Sequence, residues 1–357
     1  MVDVYTMQGP PIPPGGRPPE GGAPASIVIN NIPPRQPWLG RTFMRIVLFV
    51  SILANIALFA MIGTYFQGIT HHEQFVSGDM TSNDKIAIIE ITGMINEKAV
   101  ESPIKELEFA ARDKDVKSII LRVNSPGGEV FSTERLYRAI MKYKDDAKKP
   151  VIVMMDGIAA SGAFWISMPA DKIFATKNSI TGSIGVIMQT FILTGLMKEW
   201  GVEPMTFKTG ALKDAGSMFR EMTEEDKAEI KKLMDGWYNE FLHVILTHRG
   251  EKVGGEEKLR QVADGRVVLG EEAKTLGFID ELGFMDNAIE SAKELGKITG
   301  KARVVKYQRQ SSFFELMNAK RDVSSLISRE SLVDLQMPRF LAMPSSFLMA
   351  SSASESK

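Results

Sequence analysis

From Ile46 to Phe66 the chain carries no charged residue. At a rise of 1.5 Å per residue, a helix over this run is about 30 Å long, the thickness of a bilayer's hydrocarbon core. Such a run restricts what the rest can be, because whatever follows must fold at one end of a membrane span. Arg35, Arg41 and Arg45 precede it, and His71, His72, Glu73 and Asp79 follow. The basic bias predicts a cytoplasmic N-terminus and an extracytoplasmic remainder. The run is long for a cleaved leader, begins late, and is followed by no A-x-A site, so we read an uncleaved anchor over residues 43–66.

Residues 1–42 are rich in Pro and Gly (PPIPPGGRPPEGGAP) and are expected to be a disordered cytoplasmic tail. Residues 67–83 read as a linker. The chain has 357 residues, a net charge of −1 and no cysteine. Without cysteine there is no disulfide, thiolate metal site or thiol nucleophile. Near-zero charge and the lack of a basic stripe give no support for nucleic-acid binding.

From Asp84 onward strands and helices alternate. Lys85–Ile95, Ser118–Val123 and Val151–Met155 read as strands, Val100–Arg112 and Glu129–Lys144 as helices. Ile173–Thr176, Ile184–Phe191, Pro204–Phe207 and Ala302–Tyr307 read as further strands. Thr223–Arg249 reads as a long helix opened by TEED, a capping box. Alternation of this kind predicts an α/β domain over residues 84–308, with a mainly parallel sheet and crossover helices. Residues 309–357 read as a partly ordered tail, with a strand or helix docking on a neighbour.

Three turns carry chemistry. DGIAASGAFWIS (Asp156–Ser167) puts Ser161 between a buried strand and a helix start, where free amides and the helix dipole favour a developing negative charge. The bland reading of Ser161 is a helix cap. NSPGGEV sets the amides of Gly127 and Gly128 between a strand and a helix, as an oxyanion hole requires; an ordinary tight turn has the same composition. ITGSIGVI places Ser183 between glycines before an apolar strand.

A nucleophilic serine needs a base. His71 and His72 abut the anchor, and His243 and His248 share one helix with no acidic partner to orient them. Lysine is the alternative. FKTGALKDAGS (Phe207–Ser217) offers Lys208 and Lys213, and a lysine deprived of solvent loses its charge and can take a serine proton. The residues alone do not choose between the two. The carboxylate clusters Asp145–Asp146 and Glu224–Glu225–Asp226 read as capping and solvation.

Together IEITGMI, NSPGGEV, DGIAASGAFWIS, TGSIGVI and FKTGALKDAGSMFREMT resemble the signal peptide peptidase A family of serine proteases, which share the Clp-protease/crotonase fold. The resemblance covers Asp84 to Gly300. It implies Ser161 as nucleophile, Lys213 as general base, the amides of Gly128 and Gly162 as oxyanion hole, and Ser183 as a partner of the lysine. It further implies no metal or organic cofactor, ring-like homo-oligomers, and cleavage of remnant signal peptides at the cell membrane. In those rings serine and lysine sometimes come from adjacent protomers. The chain departs from the family's SGGYYIA at Ala163, Phe164, Trp165 and Ser167, and carries one copy of the domain where many relatives carry two. Two rival readings are crotonase-like acyl-CoA chemistry and a catalytically silent membrane scaffold.

Overall fold

The computed structural model describes residues 38–66, 71–309 and 339–342. The expectations for residues 1–37, for most of the C-terminal tail and for 67–70 fall outside those residues. Two compact units divide the chain at Phe66. The first contains helix α1 (Trp38–Phe66), which begins earlier than the anchor expected over 43–66 and takes in Trp38 to Thr42, expected as tail. Its segment Thr42–Met61 has a mean hydropathy of 2.2 and is long and apolar enough to cross a membrane.

In chain order the second unit opens with strands β1 (His71–Gly78) and β2 (Lys85–Thr92), helix α2 (Glu97–Arg112), β3 (Val116–Ser125) and the two-residue β4 (Gly128–Glu129). Then come α3 (Val130–Ala147), β5 (Val151–Ala160), the short α4 (Gly162–Ser167), β6 (Lys172–Ala175), β7 (Ile180–Gly182) and β8 (Ile187–Gln189). After α5 (Thr194–Glu199), a 3₁₀ turn (Ala211–Asp214) leads to α6 (Glu224–Arg249) and α7 (Gly255–Val262). The unit closes with β9 (Val267–Leu269), α8 (Gly270–Thr275), β10 (Glu281–Leu282), α9 (Met285–Leu295), β11 (Arg303–Arg309) and β12 (Arg339–Ala342).

The main sheet runs β1-β11-β2-β3-β5-β6-β10, with β7 branching from β5 and β9 beside β7; its pairs are parallel except for β1/β11 and β7/β9, which are antiparallel. This is the α/β fold with a mainly parallel sheet that strand–helix alternation predicts, and it is of the Clp-protease type that the resemblance implies. Parallel strands are covered on both faces, so their sequences are continuous apolar runs. VIVMM in β5 is one, and all five residues are buried. One face packs a large core that includes Leu121, Val153, Phe164, Trp165 and Phe241. The opposite face packs a smaller core around Ile88, Ile120 and Met154 under α9.

Three assignments differ from the sequence reading. The strand expected over Ile184–Phe191 is confined to β8, Ile187–Gln189. Residues 71–78, expected within a linker, form edge strand β1 against β11. HHEQFVSG has no apolar alternation; it is a strand because β11 leaves an unpaired edge. Lys85, on β2 at the far side of β11, ties it down through Glu73 at 2.7 Å and also binds Asp113 at 2.8 Å. Pro204–Phe207, expected as a strand, has no ladder partner among the described residues and is exposed. The capping box stands: Thr223 Oγ1 accepts from Asp226 N at 3.1 Å, and Asp226 Oδ2 accepts from Thr223 N at 2.9 Å.

Glu106 on α2 is a carboxyl inside this fold. Burial pushes it up to about 7, against the opposing hydrogen bond from Ser102 at 2.8 Å. The folded chain therefore holds this proton more tightly than the unfolded chain does. Its contribution is most favourable at low pH and is lost as pH rises from the ordinary glutamate range toward 7. Glu106→Gln, which cannot ionise, is expected to match wild type in thermal stability near pH 4.5. At pH 8 it should exceed wild type by roughly 3 kcal/mol or less, read by melting at both pH values.

Candidate active site

The site is assembled at the carboxyl ends of β3 and β5, where open α/β sheets place ligands. β5 does not run straight. Met155 pairs with Ala175 of β6, whereas Ile158 pairs with Ile180 of β7. On the β3 side the register jumps from Val123↔Met155 to Ser125↔Ala159. The extra residues form a bulge at Gly157, whose φ is +93°. The bulge transfers β5 from one neighbour to the next and brings its last residue, Ala160, beside Gly182.

Ser161 follows at once. Its backbone is at φ +55°, ψ −117°, outside the wells an L-residue prefers. Two bonds hold it there: its amide donates to the Gly182 carbonyl at 2.8 Å, and its carbonyl accepts from Trp165 N at 2.9 Å. Trp165 in turn stacks on Phe241 of α6 with ring centroids 4.9 Å apart, and Phe164 packs on Phe278 at 5.0 Å. Ser161 is wholly buried and its Oγ has no hydrogen-bond partner among the described residues. Its side chain makes no capping bond, so the bland reading of a helix cap fails on geometry. A strained strand-to-helix turn that presents a serine with an uncommitted hydroxyl is the geometry of a nucleophile elbow. Gly162 is the first helical residue after it, and amides in a first helical turn have no intrahelical acceptor.

Gly128 is fixed from upstream. Ile95 N donates to the Gly127 carbonyl and Glu129 N to the Ile95 carbonyl, both at 2.8 Å, so this turn is laced to the end of the first parallel strand's loop. A Cβ at residue 128 would lie 2.0 Å from the Ile95 oxygen, which excludes any side chain. Ser183 is buried, at φ +51°, with its amide donating to Arg266 O at 2.7 Å. Since Gly182 is its neighbour, Ser183 is one residue from the bond that holds Ser161. The structure thus draws together Ser161, Gly162 and Ser183 around the β5/β7 end, with Gly128 just beyond β3.

Lys213 stands apart from them. It lies on the 3₁₀ turn, is exposed, and forms no hydrogen bond with Ser161 or Ser183 among the described residues of the single chain. Lys208 is committed elsewhere: its Nζ donates to the Ala211 carbonyl and to Asp214, both at 2.7 Å. Arg220 clamps the same segment, binding Asp214 Oδ1 at 2.7 Å and Asp226 Oδ1 at 3.0 Å. The Arg220 guanidinium, followed by Lys208, holds the Asp214 carboxyl far below the usual carboxylate range. Arg220 does the same for Asp226, helped by the Thr223 amide. Sequence reading missed Arg220, whose only signal is that it lies between two acidic positions, six residues from each. His248 is occupied by the Tyr137 hydroxyl at 2.9 Å, and burial lowers its affinity for a proton.

The sequence is similar to known families and proteins. Residues 143–299 match the model of peptidase family S49, and residues 74–193 match that of Clp protease. A protein of Methanocaldococcus jannaschii named as a protease is 40% identical over 204 residues, 57% of this chain and 64% of that one. An Enterococcus faecium protein bearing the name signal peptide peptidase SppA is 32% identical over 65% of this chain and 70% of its own length. Protease 4 of Salmonella typhi is 32% identical, and the chain spans 38% of it. The chain belongs to peptidase family S49.

The tight contact at Gly128 predicts a steep cost. Gly128→Ala should destabilise the fold by about 2 kcal/mol or more in urea titration, because the Ile95 backbone must give way. Gly210→Ala is the control. No described residue lies within 4 Å of a Cβ there and the backbone is extended, so stability should be unchanged or rise by about 0.5 kcal/mol.

Proposed function

We propose that this chain is a membrane-anchored serine endopeptidase that cleaves apolar peptides, remnant signal peptides among them, through an acyl-enzyme on Ser161. The observation that carries the proposal is the Ser161 elbow: a buried, unpartnered hydroxyl on a strained turn at a helix start. Few folds maintain such a cost of about 1–3 kcal/mol without a use for it.

In this reading neutral Lys213 takes the Ser161 proton as Oγ attacks the peptide carbonyl carbon. The amides of Gly128 and Gly162 hold the oxyanion. As the tetrahedral species collapses, protonated Lys213 returns the proton to the departing amine. Water then attacks the ester while the same lysine takes its proton; the lysine returns that proton to Ser161 Oγ as the acyl bond breaks, and the carboxylic acid product ionises to solvent. Ser183 orients the lysine amine. Lys213, rather than Lys208, takes this role because Lys208 is spent on Asp214 and the Ala211 carbonyl.

An exposed lysine keeps its water, and only a desolvated one gives up its proton readily. The segment around Lys213 displays large apolar side chains: Trp200 is 76% exposed, Met205 82% and Phe207 89%. A patch of this kind marks an association surface. The base is therefore proposed to be dried and delivered across a protomer boundary in a homo-oligomeric ring, Lys213 of one copy serving Ser161 of the next. The apolar helix α1 anchors the ring, with the N-terminus cytoplasmic and the catalytic unit on the extracytoplasmic side. An anchored enzyme meets lipid-borne peptides more often than a free one.

The test is hydrolysis of a signal-peptide substrate. Ser161→Ala and Lys213→Ala should each lower kcat by roughly a thousandfold or more, with protein still folded. Co-folding the two variants in equal amounts should restore about a quarter of wild-type activity if the pair forms between copies, since two independent choices must both be right. Full activity of either variant alone would reject the dyad.

A further inference from the structure

The turn NSPGGEV carries two glycine amides, and the structure treats them differently. Ser125, the last residue of β3, is wholly buried, and its Oγ accepts from Gly127 N at 3.1 Å across Pro126. A serine side chain here stands in for the backbone acceptor of a tight turn. It holds Gly127 at φ +101°, a conformation open to glycine. Pro126 has no N–H to give. The Gly127 N–H is spent on Ser125, and the Glu129 N–H on the Ile95 carbonyl at 2.8 Å. Gly128 is the residue of the turn whose amide none of these bonds takes.

Ser125 also stands in register with the other half of the site. It pairs with Ala159 of β5, two residues before Ser161. The side chain of its neighbour Asn124 accepts from Ile158 N at 3.3 Å, across the bulge that carries β5 toward Ser161. Adjacent residues at the end of β3 thus brace the elbow and the glycine turn. An oxyanion donor contributes by being aimed, before charge develops, at the place the oxygen will occupy in the tetrahedral species. A turn free to swing its amides loses that advantage while the ground-state hold on the peptide stays the same.

We propose that Ser125 is a positioning residue of the oxyanion hole: its hydroxyl draws the Gly127 amide aside and so fixes the aim of the Gly128 amide. The role rests on the peptidase reading above. In this role Ser125 touches no reacting atom, and no covalent bond to it forms or breaks. Its loss therefore falls on kcat, since tetrahedral species precede and follow the acyl-enzyme, and leaves KM in place.

The experiment uses the full chain and an apolar fluorogenic peptide. Ser125→Ala should lower kcat roughly thirtyfold, with KM within about twofold of wild type. Ser125→Cys keeps the volume but replaces a good acceptor with a weak one, and its kcat should fall between the two. Ser118→Ala is the control. Ser118 is equally buried near the opposite end of β3 and donates to the Ala292 carbonyl at 2.8 Å, so its loss should lower stability and spare kcat. Inhibition by acetyl-Leu-Leu-Leu-aldehyde, whose adduct with Ser161 puts an oxyanion in the hole, is read beside inhibition by the matching alcohol, which forms no adduct. In Ser125→Ala the aldehyde should weaken by the same factor as kcat and the alcohol by about twofold or less. Should Ser125→Ala not fold, Ser125→Cys carries the same comparison. Wild-type kcat in the Ser125 variants overturns the proposal and leaves the peptidase reading standing. Equal weakening of aldehyde and alcohol also overturns it, because the damage is then general. A wild type that neither hydrolyses the peptide nor prefers aldehyde to alcohol sinks the peptidase reading, and this role with it.

Discussion

The backbone of Ser161, at φ +55° and ψ −117°, is the constraint around which this unit is organised. An L-residue leaves those angles unless its neighbours over-determine them. Here they do so from three directions. The Gly157 bulge shifts β5 onto β7, the Gly182 carbonyl takes the Ser161 amide, and α4 begins so abruptly that Ser161 supplies its first acceptor. Beneath it Trp165 and Phe164 lie among Phe241 and Phe278, so the turn rests on aromatic packing that cannot relax without opening the core. The strain is thus local, and the support is spread over strand, sheet and helix.

Much of this was legible in the residues. Continuous apolar runs announced the parallel strands, TEED announced the start of α6, and small residues around Ser161 and Gly128 announced close backbone approach. Legibility ended where local pattern stops carrying information. HHEQFVSG became a strand only because β11 had a free edge, a fact about the sheet and not about those eight residues. Pro204–Phe207 looked like a strand but has no neighbour to pair with. β12 owes its pairing to two short strands far away in sequence. The choice between Lys208 and Lys213 could not be made from spacing. The structure informs it through Asp214, which binds one of them.

Lys213 shows what a single chain supplies and what it does not. A serine can be prepared by backbone geometry alone, because its reactivity depends on direction and on nearby amides. A lysine base depends on the absence of water, which needs a surface pressed against it. The elbow is complete within one copy, whereas the lysine segment is exposed and surrounded by large apolar side chains. The two halves of the proposed chemistry thus differ in the level of organisation they require.

Helix α6 is clamped at both ends by arginine and aspartate. At its start Arg220 grips Asp226 and the Asp214 turn; at its end Arg249 grips Asp280 at 3.0 Å, and Asp280 accepts from Ile173 N of β6 at 2.8 Å. With 26 residues it is about 39 Å long. It therefore acts as a strut of set length between the sheet and the lysine-bearing turn. The intervening chain can vary in sequence and length without changing that span, because the rod, and not the loops, measures it.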